Sequence, residues 1–232
     1  MTSTSQPTAL VTGASRGLGH ALARALADRG WRLVLDARRV GKLAEELPGA
    51  VVVEGDVTDP AHRDALAAAV DVLGRLDLLV NNASELGPSP LPSLADHPLG
   101  ALRRVYETDV VAPLGLIQLL APALRATGGT VVDVSSDAAV EAYAGWGGYG
   151  SAKAALDHVS AVLAVEEPAL RIYAVDPGDM RTEMHQAAFP GEDISDRPEP
   201  ASVVPGLLRL LDERPASGRY RAADWAVPAA TS

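Results

Sequence analysis

The sequence predicts a single-domain α/β protein, a doubly wound parallel sheet with helices on both faces. Three observations lead there. Short, almost wholly apolar runs of strand length alternate with longer segments whose apolar residues recur every three to four positions. A glycine-rich turn joins the first such run to the first such helix. The length, 232 residues, fits one large α/β domain (1–232) better than two independent ones.

Ala9-Leu10-Val11 enters the glycine turn, and Leu18, Leu22 and Leu26 then recur at spacings of four before Gly30, which reads as strand, loop, helix and stop. The unit repeats, with a strand over 31–35, a short helical piece over 42–47 and a third strand over 50–53. Residues 64–73 are alanine-rich and helical, and 76–80 form a strand apolar enough for a parallel sheet buried on both faces. A helix follows over 99–126, which Pro113 and Pro122 must end, kink or bend in part. Residues 130–134 are the fifth strand. The next helix, 149–166, lines up Ala152, Ala155, Leu156, Val159 and Val162, and 170–175 is the sixth strand. The polar, proline-bearing segment 184–200 breaks the pattern and reads as a mobile loop or lid over a site. Residues 203–211 are the last helix, and from residue 222 onward there is no periodic signal. Ligands of such sheets settle beyond the carboxyl ends of the strands.

A formal net charge of −10 opposes nonspecific binding to nucleic acid or to an anionic membrane. No run approaches eighteen uninterrupted apolar residues, and residues 1–8 lack the basic start and apolar stretch of a signal peptide, so the expectation is a cytoplasmic protein. With no cysteine there is no disulfide, no thiolate metal site and no thiol catalysis. His20, His62, His97, His158 and His185 show no ligand spacing, so no metal is expected. Of these only His185, beside the lid, is placed to touch a substrate.

Tyr149 and Lys153 stand four apart, thirteen residues after Ser136. On a helix that spacing puts both side chains on one face, where a fixed ammonium favours the phenolate and draws the phenol toward a pKa useful for proton transfer. A tyrosine four before a lysine is by itself common surface decoration on helices; what distinguishes this one is Ser136 and the glycine loop in the same order. Gly13, Gly17 and Gly19 are spaced GxxxGxG, which allows a tight turn before a helix whose free amides suit a diphosphate. A glycine turn alone is weak evidence.

The set Thr12-Gly13-Ala14-Ser15-Arg16-Gly17-Leu18-Gly19, Asn81-Asn82-Ala83, Ser136, Tyr149, Lys153 and Asp176-Pro177-Gly178 resembles the short-chain dehydrogenase/reductase family, in the right order over most of the chain. The resemblance implies a Rossmann-type domain that binds NAD or NADP and transfers hydride to or from the carbon of a ketone, aldehyde or secondary alcohol. It implies that Gly13, Ser15, Arg16, Gly17, Leu18 and Gly19 surround the diphosphate and adenosine ribose, and that Asp56 and Val57 border the adenine. Asn81 and Ala83 would contact the adenosine side and the wall beneath the nicotinamide. Pro177, Gly178, Met180 and Thr182 would hold the carboxamide end. Ser136 would hold the substrate oxygen, Tyr149 act as general acid/base, and Lys153 tune it and bind the nicotinamide ribose. Glu85, Leu86, Ala138, Tyr143, Trp146, Asp179 and Met184 would flank the pocket, Tyr143 and Trp146 equally as packing residues.

Asp36, at the end of the second strand, argues for NAD, because an acid there binds ribose hydroxyls and repels a 2′-phosphate. It sits, however, one residue before the family's usual selecting acid, where Ala37 stands. Arg38 and Arg16 would favour a phosphate, and the balance leans to NADP with NAD as the alternative; Arg39 reads as a solvated surface residue. Two departures stand out: Asp109 where the family often has an asparagine in a proton relay to the lysine, and Ser84 for a usual glycine. The second reading, a dinucleotide-sensing or scaffold protein without turnover, draws on Asp109. The helices 99–126 and 149–166 resemble those through which family members form homodimers or homotetramers.

Overall fold

The computed structural model describes residues 6–226. Seven parallel strands form one sheet in the order β3-β2-β1-β4-β5-β6-β7. They are β1 (Thr8–Val11), β2 (Arg32–Ala37), β3 (Val51–Glu54), β4 (Leu78–Asn81), β5 (Thr130–Val134), β6 (Arg171–Asp176) and β7 (Gly218–Arg221). The helices are α1 (Gly17–Asp28), α2 (Leu43–Glu46), α3 (Pro60–Leu73), α4 (Leu99–Tyr106), α5 (Ala112–Thr127), α6 (Gly147–Glu166), α7 (Glu183–Ala188) and α8 (Pro200–Glu213). From β1 the chain winds outward to β3, then returns through α3 to β4 on the other side of β1. The winding direction therefore reverses between β1 and β4, and a crevice opens there beyond the strand ends.

Apolar residues on both faces of each inner strand require cover on both sides. Leu33, Leu35 and Ala37 of β2 join Leu18, Leu22, Leu26, Leu207 and Leu210 in the core beneath α1 and α8. Val34 of the same strand points the other way, joining Leu66, Val70, Leu116, Leu120 and Leu124 beneath α3 and α5. This period-two alternation sends Asp36, an even-numbered neighbour of Val34, toward the α3 face.

Several elements differ from expectation for local reasons. Helix α3 starts at Pro60, not residue 64, because the Asp59 side chain accepts from Ala61 N at 2.9 Å and proline suits the first helical position. The expected 99–126 helix is continuous but passes through a π turn over Glu107–Val111. Pro113 lacks the N–H a regular turn would use, and the wider turn just before it absorbs that loss while leaving Asp109 fully buried. By length and composition the 29 residues Leu99–Thr127 could cross a membrane; here Leu116, Ile117, Leu120 and Leu124 are core residues. The segment 184–200 is not loop throughout: Thr182 caps α7, accepting from His185 N at 3.1 Å, and irregular chain follows only after Ala188. Strand β7, Gly-Arg-Tyr-Arg, carries no apolar signal and was not anticipated; its pairing with β6 supplies the reason for its shape. Beyond it, Ala222–Trp225 form a 3₁₀ turn, while residues 227–232 of the tail lie outside the described residues.

Because Leu79 is fully buried in a central strand, Leu79→Ala should lower the unfolding free energy in urea titrations by about 2 to 5 kcal/mol. Val165→Ala, at a position 81% exposed, should stay within about 0.5 kcal/mol.

Candidate active site

A cleft of about 1770 Å³ lies across the carboxyl ends of β1, β2, β4, β5 and β6, running from Arg24, Arg38 and Arg39 at one end to Trp146 and Phe189 at the other. The glycine loop forms its floor. Gly13 and Gly17 take left-handed φ of +64° and +59°, and a Cβ on Gly13 would lie 2.9 Å from Ala83 Cα, so only glycine lets this loop sit against the end of β4. Side chains then clamp it. The Thr12 hydroxyl donates to Val80 O at 3.2 Å and accepts from the backbone N–H groups of Asn82 (2.9 Å) and Ala83 (3.0 Å). Asn82 Nδ2 donates to the carbonyls of Thr12 (2.9 Å) and Gly13 (3.2 Å). Helix α1 begins here with no side-chain cap and no acidic residue in its first turn. Its open amides and positive dipole end suit an anion such as a diphosphate.

At the other end, α6 carries Tyr149 and Lys153 side by side, the ammonium 5.4 Å from the phenol ring centroid. Both are buried. Lys153 Nζ donates to Val134 O at 2.9 Å, at the end of β5, and lies 3.8 Å from Asp109 Oδ2. Asp109 in turn accepts from Glu85 N (2.8 Å) and from the Ser84 hydroxyl (3.2 Å). Ser136 opens the turn after β5 and lines the cleft together with Tyr149 and Ser84. Trp146 meets the Tyr149 ring edge-on at 5.9 Å.

The electrostatics follow from burial. Desolvation pushes the Asp109 carboxyl above its ordinary range, against the pull of Lys153. Burial would lower Lys153, but its interactions with the acidic groups around it, Asp109 foremost, outweigh that and hold the ammonium above its ordinary range. For Tyr149 the outcome corrects the sequence reading: burial, with Asp109 adding to it, raises the phenol even though Lys153 and the hydroxyls of Ser84 and Ser136 favour the phenolate.

Of the residues singled out from sequence, Gly13, Ser15, Arg16, Gly17, Leu18, Arg38, Asp56, Val57, Ala83, Ser136, Tyr149, Lys153, Pro177, Gly178, Met180 and Thr182 line the cleft. Four need correction. The Asn81 side chain faces away, donating to Asp133 Oδ1 at 2.7 Å, and its neighbour Asn82 takes the cleft wall. Ala37 packs in the α1 core. Gly19 lies behind the loop, where a Cβ would come within 2.4 Å of Asn82 Nδ2 and 2.6 Å of Gly13 O. Asp109 sits behind Lys153, not on the cleft surface, and so acts only through its neighbours. Asp36 reaches the cleft edge with its carboxylate already engaged, Oδ2 by Gly13 N at 3.1 Å and Oδ1 by His62 Nε2 at 2.6 Å. Arg16 pairs with Glu183 of α7. Sequence reasoning missed Arg219 of β7, whose guanidinium donates to Ser136 O (2.8 Å) and Asp157 (2.9 Å); nothing short of the unforeseen strand pairing could have found it.

A family model described as short chain dehydrogenase matches residues 7–193. The serine 3-dehydrogenase of Agrobacterium fabrum is 36% identical over 184 residues, covering 76% of this chain and 73% of that protein. The 7α-hydroxysteroid dehydrogenase of Escherichia coli is 33% identical over 186 residues, 75% and 71% of the two chains. A short-chain dehydrogenase of Shigella flexneri, solved in complex with NADP, superposes with a TM-score of 0.86 at 30% identity, over 94% of this chain and 97% of its own.

Lys153→Met leaves Asp109 buried without its cation, and should cost about 3 to 5 kcal/mol of stability at pH 7. Since burial raises the folded-state pKa of Asp109, the native protein binds that proton more tightly than the unfolded chain, and stability falls as pH climbs above the unfolded value of about 4. Without the cation this window extends upward. The deficit measured by denaturant titration should therefore grow from pH 4 to pH 7; a constant deficit would contradict the pairing.

Proposed function

The chain belongs to the short-chain dehydrogenase family, and we propose that it is an oxidoreductase using NADP in preference to NAD to interconvert a ketone or aldehyde with the corresponding alcohol. One observation supports this most: a buried lysine, a phenol and a serine hydroxyl converge at one end of a cleft that begins at an uncapped helix N-terminus.

In this reading the glycine loop and the amides of α1 hold the diphosphate, Asp56 and Val57 border the adenine, Asn82 and Ala83 form the wall, and Pro177, Gly178, Met180 and Thr182 hold the carboxamide end. The bound coenzyme supplies the hydride in reduction and accepts it in oxidation. Ser136 donates a hydrogen bond to the substrate oxygen, with Arg219 holding the Ser136 carbonyl and so fixing the turn. Tyr149 gives its proton to that oxygen as the carbon gains hydride, and takes it back in the reverse direction. Lys153 stabilises the phenolate left behind, which burial alone would disfavour. His185, whose Nε2 is buried without a partner in the cleft wall, and Trp146 face the substrate end. The arginines near the other end favour the 2′-phosphate of NADP. The protein pairs with copies of itself across α5 and α6, where Leu119, Val162 and Val165 stay exposed, and works in the cytoplasm, where a cysteine-free chain is at no disadvantage.

Tyr149→Phe should reduce kcat about 10²- to 10⁴-fold on any carbonyl substrate turned over while coenzyme binding persists. Cofactor binding by the wild type without turnover across a broad carbonyl panel would favour a sensor in place of an enzyme. Asp109 raises the Tyr149 phenol, so Asp109→Asn should lower it. Alcohol oxidation needs the phenolate, and its pH profile in kcat/KM should move to lower pH; coincident profiles would count against Asp109 acting on Tyr149.

A further inference from the structure

Asp36 stands one residue before the position at the end of β2 where an acid would read the ribose of NAD, and in this fold its carboxyl is turned to another use. Asp36 is 2% exposed, and both its oxygens are taken. Its backbone is committed as well, the carbonyl accepting from Ala14 N at 2.8 Å. His62 comes from the first turn of α3, a helix whose start depends on the Asp59 cap and Pro60. The ring enters a space that exists only because residue 55 is glycine: a Cβ there would lie 2.2 Å from His62 Nδ1. Histidine and aspartate are each almost wholly enclosed, with side chains 5% and 3% exposed. A buried carboxyl with a hydrogen-bond partner on each oxygen has little left to offer a ligand.

We propose that His62 sets the coenzyme preference of the cleft by holding Asp36 as a brace for the glycine loop, so that the acid at the cleft edge does not oppose the 2′-phosphate of NADP. His62 is a positioning residue: it acts on the coenzyme only through Asp36. The inference rests on the dinucleotide-dependent reading above and goes beyond it by naming what decides between the two coenzymes. It also accounts for a contradiction within the sequence, where Asp36 argues for NAD and its neighbours Arg38 and Arg16 for NADP. With Asp36 paired, the charges left at this end of the cleft are Arg24, Arg38 and Arg39, which favour a phosphate, against Asp28 and Asp56.

Dissociation constants for NADPH and NADH, measured by calorimetry or by quenching of tryptophan fluorescence, test this without reference to turnover. Wild type should bind NADPH more tightly than NADH. His62→Leu should cut that preference about tenfold or more, by weakening NADPH more than NADH, and Asp36→Asn added to His62→Leu should restore it, because the released charge is then gone. His62→Gln, which keeps a donor, should retain most of the preference. Asp36→Asn alone should leave the ratio near that of wild type. Equal weakening of both coenzymes by His62→Leu would overturn the proposal, as would a selective loss of NADH affinity in Asp36→Asn, which would mean that the acid reads the ribose directly. If His62→Leu does not fold, the Asp36→Asn ratio decides by itself. Failure of the wild type to bind either coenzyme would instead remove the dinucleotide reading, and the inference with it.

Discussion

A charged amine enclosed by protein is the constraint around which one end of the cleft is arranged. Lys153 is 2% exposed, and enclosing an ammonium costs several kcal/mol unless its donors and its charge are answered. Three elements answer it. The end of β5 presents the Val134 carbonyl, the π turn presents Asp109, and α6 places the Tyr149 ring beside it. The three come from separate elements, so the ammonium is enclosed only where the end of β5, the π turn and α6 meet.

Close packing at the start of α6 aims the phenol. A Cβ on Gly150 would meet Ala138 O at 2.5 Å, and one on Gly148 would meet His97 Nε2 at 2.3 Å. Because Gly150 carries no side chain, the first turn of α6 lies directly against the turn that follows Ser136, while Gly148 leaves room for the His97 ring. Two hydroxyls thirteen residues apart thereby face one cleft. Helix propensity alone disfavours glycine here; packing overrides it because the neighbouring backbone must approach.

Periodicity made most of the sheet legible, since β1, β4, β5 and β6 are apolar runs that leave few alternatives, and the glycine loop with Ser136, Tyr149 and Lys153 could be located from spacing and resemblance. What escaped did so for identifiable reasons. Strand β7 lies at a sheet edge with polar, half-exposed residues, so its pairing with β6 creates it and its composition does not announce it. The side-chain directions of Asn81 and Asn82 alternate along one strand end, and adjacent identical residues give no hint which of them faces the cleft. The commitment of Asp36 to His62 joins residues 26 apart through the α3 face, a contact that only the packed helix reveals. The sign of the Tyr149 shift depended on depth of burial, which spacing does not encode.

The two departures from the family pattern explain one another. An aspartate at 109 brings a second oxygen and a negative charge where an amide would bring a donor, and a buried carboxylate needs donors for both oxygens. Ser84 provides one to Oδ2 and the Glu85 backbone provides one to Oδ1. A glycine at 84 would have left Oδ2 with the more distant ammonium alone. The pair is thus a satisfied polar unit and not a damaged relay, and its effect is electrostatic: Asp109 secures Lys153 as a cation while lifting the Tyr149 phenol. Such an exchange favours the protonated form of the phenol.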